Sequence, residues 1–352
     1  MSGLDLEVGK KVARKVLEET LHVKSGENVT VETWNNGLQF ARIVVREARR
    51  LGCIPLMIFE DEKAFVESAK DPKSTKGVMG KHEYALLAET DAYVFIPSPV
   101  LGVYSRKLKP EERDASVQYN RSWYEAAEKA KLRGARLSFG YVGPELATFV
   151  GKSLKSIVDH QMKASLVEFE QIKETGSKIA SVLSDDSEIS LLSDDCRLEF
   201  NIKGEVSVDD GVVDERDIEE GYNMHYFPPG HVAKQVEGGT ANGKIRLSDS
   251  LTRLGVVRRA LLTFKDGKLV NWEGRDDDKR ILDKLLNNTD ESGRLLSNVT
   301  IGLNPFVKSG YGIDRMSAGM IGVYGFGFSG FVKSGNLTVN GKSVVEGGKL
   351  LA

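Results

Sequence analysis

Strand-like and helix-like stretches alternate along residues 27–142, and no other property of this 352-residue chain restricts its fold as much. "ENVTVET" (27–33) is rich in β-branched residues and reads as a strand. "LQFARIVVREARRL" (38–51) has helical periodicity and runs into Gly52, and "IPLMIF" (54–59) is a second strand. Together they form a βαβ unit, preceded by the helical pattern of "VARKVLEETL". "DAYVFIPSP" and "GARLSFGYV" are further apolar strands, each following a helix-like stretch, "HEYALLAET" and "SWYEAAEKAKLR". Such alternation favours a parallel sheet with helices on its faces. From Val142 to about Ser184 the pattern is mostly helical, and then it changes. "EISLLS", "RLEFNIKG", "KIRLSDS", "ALLTFKDGKLVNWEG" and "NLTVNGKSVVEGGKLL" are short strands with Asp-Gly and Asn-Gly turns at hairpin spacing. The expected organisation is an α/β N-terminal domain over residues 1–185 and a β-rich α+β C-terminal domain over 186–352, with the boundary near Ser184–Glu188.

Composition narrows the function classes. A chain that is 40% hydrophobic and 28% charged is long enough for two cores. Its 49 basic and 51 acidic residues leave a net charge of -2 and no long run of one sign, which argues against nucleic acid as a partner. Two cysteines, Cys53 and Cys196, make no disulfide framework and suit a reducing compartment. The N-terminal "MSGLDLEVGKKVARKVLEET" is too charged for a signal peptide, and no apolar run reaches the roughly 18 residues of a membrane span. The expected location is the cytoplasm, with no membrane partner.

Several local motifs have plain explanations. Gly325, Gly327 and Gly330 spell GxGxxG, but a dinucleotide site needs a helix after it, and "FVKSGNLTVNGKSVV" reads as a hairpin; a sheet corner is the better reading. Asp276–Lys279, "DDDK", suits the first turn of a helix, where acids meet the positive end of the helix dipole. "GYNMHYFPPGHVAKQVEGG" (221–239) holds two of the five histidines, His225 and His231, six positions apart around a Pro-Pro-Gly turn, with Glu237 beyond. Imidazole and carboxylate suit zinc or iron, so these three are candidates for a local metal site. The competing reading hydrogen-bonds His231 within a cleft and leaves His225 on a nearby strand. His22, His82 and His160 read as surface or capping residues.

The succession "RLEFNIKG", "YFPPGHV", "VEGGTANGKIRL", "LTFKDGKLVNWEG", "NVTIGLNP", "DRMSAGMIGVYGFGF" and "LTVNGKSVVEGGKL" resembles the C-terminal domain of the M29 (thermophilic, aminopeptidase T-like) metallo-aminopeptidases. "HVKSGENVTVET" and "ELATFVGKSLKSIVDHQMKASLVEFEQIKETGSKIASVLSD" are similar to that family's N-terminal domain, so the resemblance runs end to end. It implies a Rossmann-like N-terminal domain, a β-rich C-terminal domain carrying the active site, and a homodimer partly enclosing it. Family members hold two metal ions through glutamates, histidines and an aspartate, with a tyrosine alongside.

Carried over position by position, the resemblance gives an unexpected ligand set. The glutamate of the family's Pro-x-Gly-Glu falls on His231, and a second glutamate falls on Asn298. A Glu-Lys pair falls on Asp314 and Arg315, the histidine after it on Ile321, and the tyrosine on Phe328. The family's His-x-Asp pair has no counterpart, because only "SGFVKSG" spans the gap before the last hairpin and no histidine follows His231. Two-metal hydrolysis needs carboxylates to neutralise two cations and an open position for a water of lowered pKa. Isoleucine and phenylalanine supply neither. Arg315 could hold a carboxylate bidentately in a polar cleft, with a domain or dimer salt bridge as the alternative role for the Asp314–Arg315 pair.

The reading is therefore an M29 aminopeptidase-like protein with a degenerate two-metal site, inactive or altered in activity, and no expected cofactor. The alternatives are an active aminopeptidase using Zn, Co or Mn, and another enzyme on the same fold, such as the related iron-dependent ring-cleaving dioxygenase of dihydroxypyridine. The cleft could bind a peptide or small molecule. Tyr324, Phe326 and Phe328 are two apart, and as a strand they would share one face, a stripe expected to pack in the core or in the homodimer interface.

Overall fold

The computed structural model describes residues 5–351 apart from 72, 75–76, 100–107, 109, 253, 288 and 290–291. The chain forms two compact units, Met1–Leu166 with Gly211–Pro228, and Val167–Asp210 with Pro229–Ala352.

The first unit is a parallel sheet of β1 (Asn28–Trp34), β2 (Ile54–Glu60), β3 (Ala92–Ile96), β4 (Arg133–Leu137) and β7 (Met224–Phe227), in the order β2-β1-β3-β4-β7. Helices α1 (Leu6–Arg14), α2 (Leu38–Arg50), α3 (Glu62–Lys70), α4 (Lys81–Ala88), α5 (Pro110–Lys129), α6 (Pro144–Val150) and α7 (Leu154–Ala164) connect or flank the strands. The local signals behave as expected. Asp5 caps α1 by accepting from the amides of Glu7 and Val8, and α2 buries Phe40, Ala41, Val44 and Ala48 on one face at helical spacing. Because β2 lies on one side of β1 and β3 on the other, the strand order reverses at the β1/β3 boundary, as in doubly wound sheets. The registers align Thr30, Tyr93, Gly134 and Met224 in one cross-strand row and Glu32, Phe95, Arg136 and Tyr226 in the next row of the same face.

The second unit is built on a twelve-stranded sheet. One path runs β16 (Ser329–Val332), β15 (Ile321–Tyr324), β14 (Asn298–Gly302), β8 (His231–Val236), β6 (Cys196–Asp209), β5 (Glu188–Ser193), β17 (Asn336–Val339), β18 (Lys342–Glu346), β19 (Lys349–Leu350). From β6 a branch adds β9 (Asn242–Arg246), β12 (Leu261–Lys265) and β13 (Lys268–Glu273), while β10 (Ser250–Thr252) and β11 (Gly255–Val257) form a separate hairpin. The pairings on the main path are antiparallel. The fourteen-residue β6 serves both branches because residues 198–199 pair with β9 and residues 202–209 with β8, a ladder that shifts between Lys203 and Ser207. At that bulge the buried Lys234 ammonium donates to Asp185 Oδ1 at 2.7 Å and to the Gly204 carbonyl, so the interrupted ladder keeps its partners. Helices α8 (Phe169–Ala180), α9 (Glu215–Glu219, part of the first unit) and α10 (Asp276–Leu286) are the remaining α-helices among the described residues. The "DDDK" acids do open a helix, α10.

Two expectations need correction. A single cut near residue 185 does not describe the chain. Helix α8 belongs to the second unit because it packs on β6 and β8; Gly176 lies so near Val208 that a Cβ would sit 2.6 Å from its Cγ1. Residues 211–228 return to the first unit because β7 pairs with β4 as the fifth parallel strand. The aromatic stripe also breaks. β15 ends at Tyr324, and Gly325 (φ 109°) and Gly327 (φ 93°) turn the chain into β16. Phe326 is consequently buried against Phe264, ring centroids 5.4 Å apart, while Tyr324 faces Phe331 at 6.1 Å. Gly325 and Gly327 thus make a strand-to-strand turn and Gly330 lies in β16, with no helix after them, as their surroundings suggested.

Candidate functional site

Adjacent strands β8, β14 and β15 of the second unit, with the turn into β16, carry most positions that the resemblance assigns to a metal centre. His231 opens β8, opposite Asp209 on β6 and Gly302 on β14. Its Nδ1 lies 3.4 Å from Asp209 Oδ2, and both side chains are buried. The preceding turn is fixed from the β14 side: Asn304 Nδ2 donates to the Pro229 carbonyl at 2.9 Å, and a Cβ on Gly230 would come 2.9 Å from the Asn304 Cβ. A buried carboxylate beside an imidazole orients the ring, here within the protein interior.

Asn298 opens β14 at the opposite end, facing Gln235 and Tyr324, and its amide nitrogen donates to Ser297 Oγ at 3.1 Å. Four ladder steps separate Asn298 from Gly302, the partner of His231, which is about 13 Å at strand rise. Ile321 opens β15, fully buried between Ile301 and Val332. Phe328 stands in the turn after it, edge-on to Phe326 at 5.0 Å. Arg315 reaches Tyr324: its Nε donates to the hydroxyl at 2.9 Å, the guanidinium carbon lies 4.8 Å from the ring centroid, and Thr300 Oγ1 is 3.3 Å from the same hydroxyl. Gly322 makes this possible, since a Cβ there would collide with Thr300 Oγ1 and the Tyr324 hydroxyl. Asp314 accepts from the Gly310 amide at 2.8 Å and ties its own loop; burial pushes its carboxyl up, opposed by hydrogen bonds from Gly310, Ser309 and Gly312.

The candidate trio of His225, His231 and Glu237 is not assembled. The two strands flanking the Pro-Pro-Gly turn join different sheets, β7 that of the first unit and β8 that of the second. His225 is buried with Nε2 3.3 Å from Asp217 Oδ2 and its ring 5.0 Å from that of Tyr222. Glu237 follows the far end of β8, about 20 Å along the strand from His231. Among the described residues no three His, Cys, Asp or Glu side chains gather as a metal site would require.

No protein-family profile matches the sequence, and no curated protein does. Solved structures do match. AmpT from Thermus thermophilus superposes with a TM-score of 0.69 at 15% identity, over 98% of this chain and 99% of that chain. The chain has the aminopeptidase T fold. The same fold is matched by 2,5-dihydroxypyridine dioxygenase from Pseudomonas putida KT2440, with a TM-score of 0.64, 12% identity, and coverage of 99% of this chain and 96% of that one. An aminopeptidase T fold therefore leaves the chemistry to be decided by the site. At the positions assigned by resemblance, this one offers an imidazole at His231, a neutral amide at Asn298, a single carboxyl at Asp314 that is tied to its own loop beside Arg315, and hydrocarbon at Ile321 and Phe328. That donor set does not fit a two-metal centre, which needs bridging carboxylates.

Sequence reading missed a second polar group, in the first unit. Glu32, Phe95, Arg136 and Tyr226 form one row of the sheet, and the first three of them, with Tyr119, Asn120, Trp123 and Tyr124 of α5 and Met224, line a cavity of about 50 Å³. Tyr93 donates to the Glu32 carboxyl, and burial pushes that carboxyl up. The signal was faint: one acid and one arginine at strand positions 104 residues apart (136 minus 32), Glu32 between Val31 and Thr33 and Arg136 between Ala135 and Leu137.

Proposed function

We propose that this chain keeps the aminopeptidase T fold without a working two-metal peptidase centre, and is inactive as an aminopeptidase or altered in activity. The observation that carries this reading is Ile321, a fully buried hydrocarbon where the resemblance places a ligating histidine. Asn298 and Phe328 support it, one neutral and about 13 Å along the ladder from the row of His231, the other without a lone pair. A homodimer formed through the β-rich unit and residence in a reducing cytoplasm, where Cys53 and Cys196 stay thiols, belong to the same reading. No helix among the described residues is long and apolar enough to cross a membrane.

Metal analysis by mass spectrometry on protein purified without chelator, together with hydrolysis of leucyl amides in added Co²⁺ or Zn²⁺, tests the proposal. The expected result is less than stoichiometric zinc, cobalt, manganese or iron, and hydrolysis at background. Two divalent ions per chain with turnover that EDTA abolishes would restore the active peptidase. Stoichiometric iron would point instead to chemistry of the dioxygenase kind.

A further inference from the structure

We propose that the cavity between the sheet and α5 of the first unit binds a small carboxylate, held by Arg136 and Glu32. The inference is independent of the peptidase reading, since all its residues lie in the other unit.

Arg136 supplies the first reason. Its guanidinium is sandwiched by aromatic rings, 5.1 Å from the Phe95 centroid and 5.9 Å from that of Tyr226. Tyr226 hydrogen-bonds it, yet its buried Nε has no partner among the described residues, and no described carboxylate forms an ion pair with it. A guanidinium cannot shed its proton to escape burial, so a buried donor of this kind calls for an anion.

Geometry supplies the second. Glu32 and Arg136 stand on the same face with only Phe95 of β3 between them, so their backbones are about 10 Å apart. A carboxylate in that space would accept from Arg136, and burial, which pushes the Glu32 carboxyl up, favours the neutral form that can donate to the same ligand. A cavity of about 50 Å³ takes roughly three to five waters, or acetate, and Trp123 and Tyr124 close the far wall. Planar guanidinium favours carboxylate for its matching fork. The third reason is position. The row sits on the sheet face in the carboxyl-terminal half of the strands and includes the β1/β3 boundary where the order reverses, the end of the sheet toward which open α/β folds take ligands.

The chain has three tryptophans, Trp34, Trp123 and Trp272, and only Trp123 lines the cavity. Titrating ¹⁵N-labelled protein with sodium acetate against sodium chloride at equal ionic strength should give a saturable movement of the Trp123 indole resonance, while Trp272 stays in place. Arg136→Gln should weaken acetate at least about tenfold, the loss of a charge-assisted pair. Glu32→Gln, which offers a donor that cannot ionise, should hold acetate affinity within about threefold. If chloride reproduces the Trp123 movement, or if folded Arg136→Gln binds acetate as well as the wild type, the proposal is wrong. Should Arg136→Gln fail to fold, the wild-type titration still decides.

Discussion

Glu47 on α2 is 1% exposed and yet charged, because three arginines converge on it. Arg14 Nε lies 2.9 Å away, Arg50 Nη1 3.2 Å and Arg46 Nε 3.6 Å. Burial alone would raise its carboxyl pKa, but the hydrogen bond from Arg14 and the charges of Arg50 and Arg14 outweigh burial and hold it below the usual value. A folded pKa below the unfolded one gives stability that is present above about pH 4.3 and lost as the pH falls through the folded value. Glu47→Gln should cost about 1.5 kcal/mol at pH 7, the low end for a charge-assisted bond because the arginines are half exposed. Urea unfolding at pH 7 and pH 3 checks this: the gap between variant and wild type should close in acid, and an equal gap at both values would refute the assignment. The sequence around Glu47 shows Arg46 and Arg50, but not Arg14, its nearest partner, which lies 33 residues upstream.

At the scale of elements, the glycine turns differ in what surrounds them. Gly341 in the β17–β18 hairpin has φ 78° and open space where a Cβ would go, while Gly325 after β15 has φ 109° and would place a Cβ 2.6 Å from the Leu295 carbonyl and against Ser297. Gly341→Ala should cost only the left-handed strain, about 1 kcal/mol, and Gly325→Ala at least about 3 kcal/mol, because backbone must move as well. Thermal unfolding of the two variants side by side measures this, and equal losses would count against it. The hairpins were legible in the sequence because their signals are local: Asn340-Gly341 and Asp266-Gly267 sit between alternating runs, and "EISLLS" became β5 with every second side chain buried. β7 was not legible. It is four residues long, and its partner β4 lies some ninety positions upstream, so only tertiary pairing defines it. The row of Glu32, Phe95, Arg136 and Tyr226 was invisible for the same reason, as register across four strands assembles it.

For the whole molecule, the fold class followed from the change of periodicity near residue 184, whereas the aromatic segment expected at an interface has Phe326 in the core. The homodimer within the proposed function consequently rests on resemblance, and light scattering at micromolar concentration should give close to twice the 38.7 kDa chain mass. A strictly monomeric protein would remove it from the proposal. The excursion of residues 211–228 has a consequence in time. During synthesis the first unit lacks its fifth strand until β7 emerges, 90 residues after the end of β4 (227 minus 137). At about 5–20 residues per second, that leaves the edge of β4 unpaired for roughly 5–20 s. In that interval the nascent chain carries the open rim of a parallel sheet, a template for any other extended chain, until its own later segment closes it.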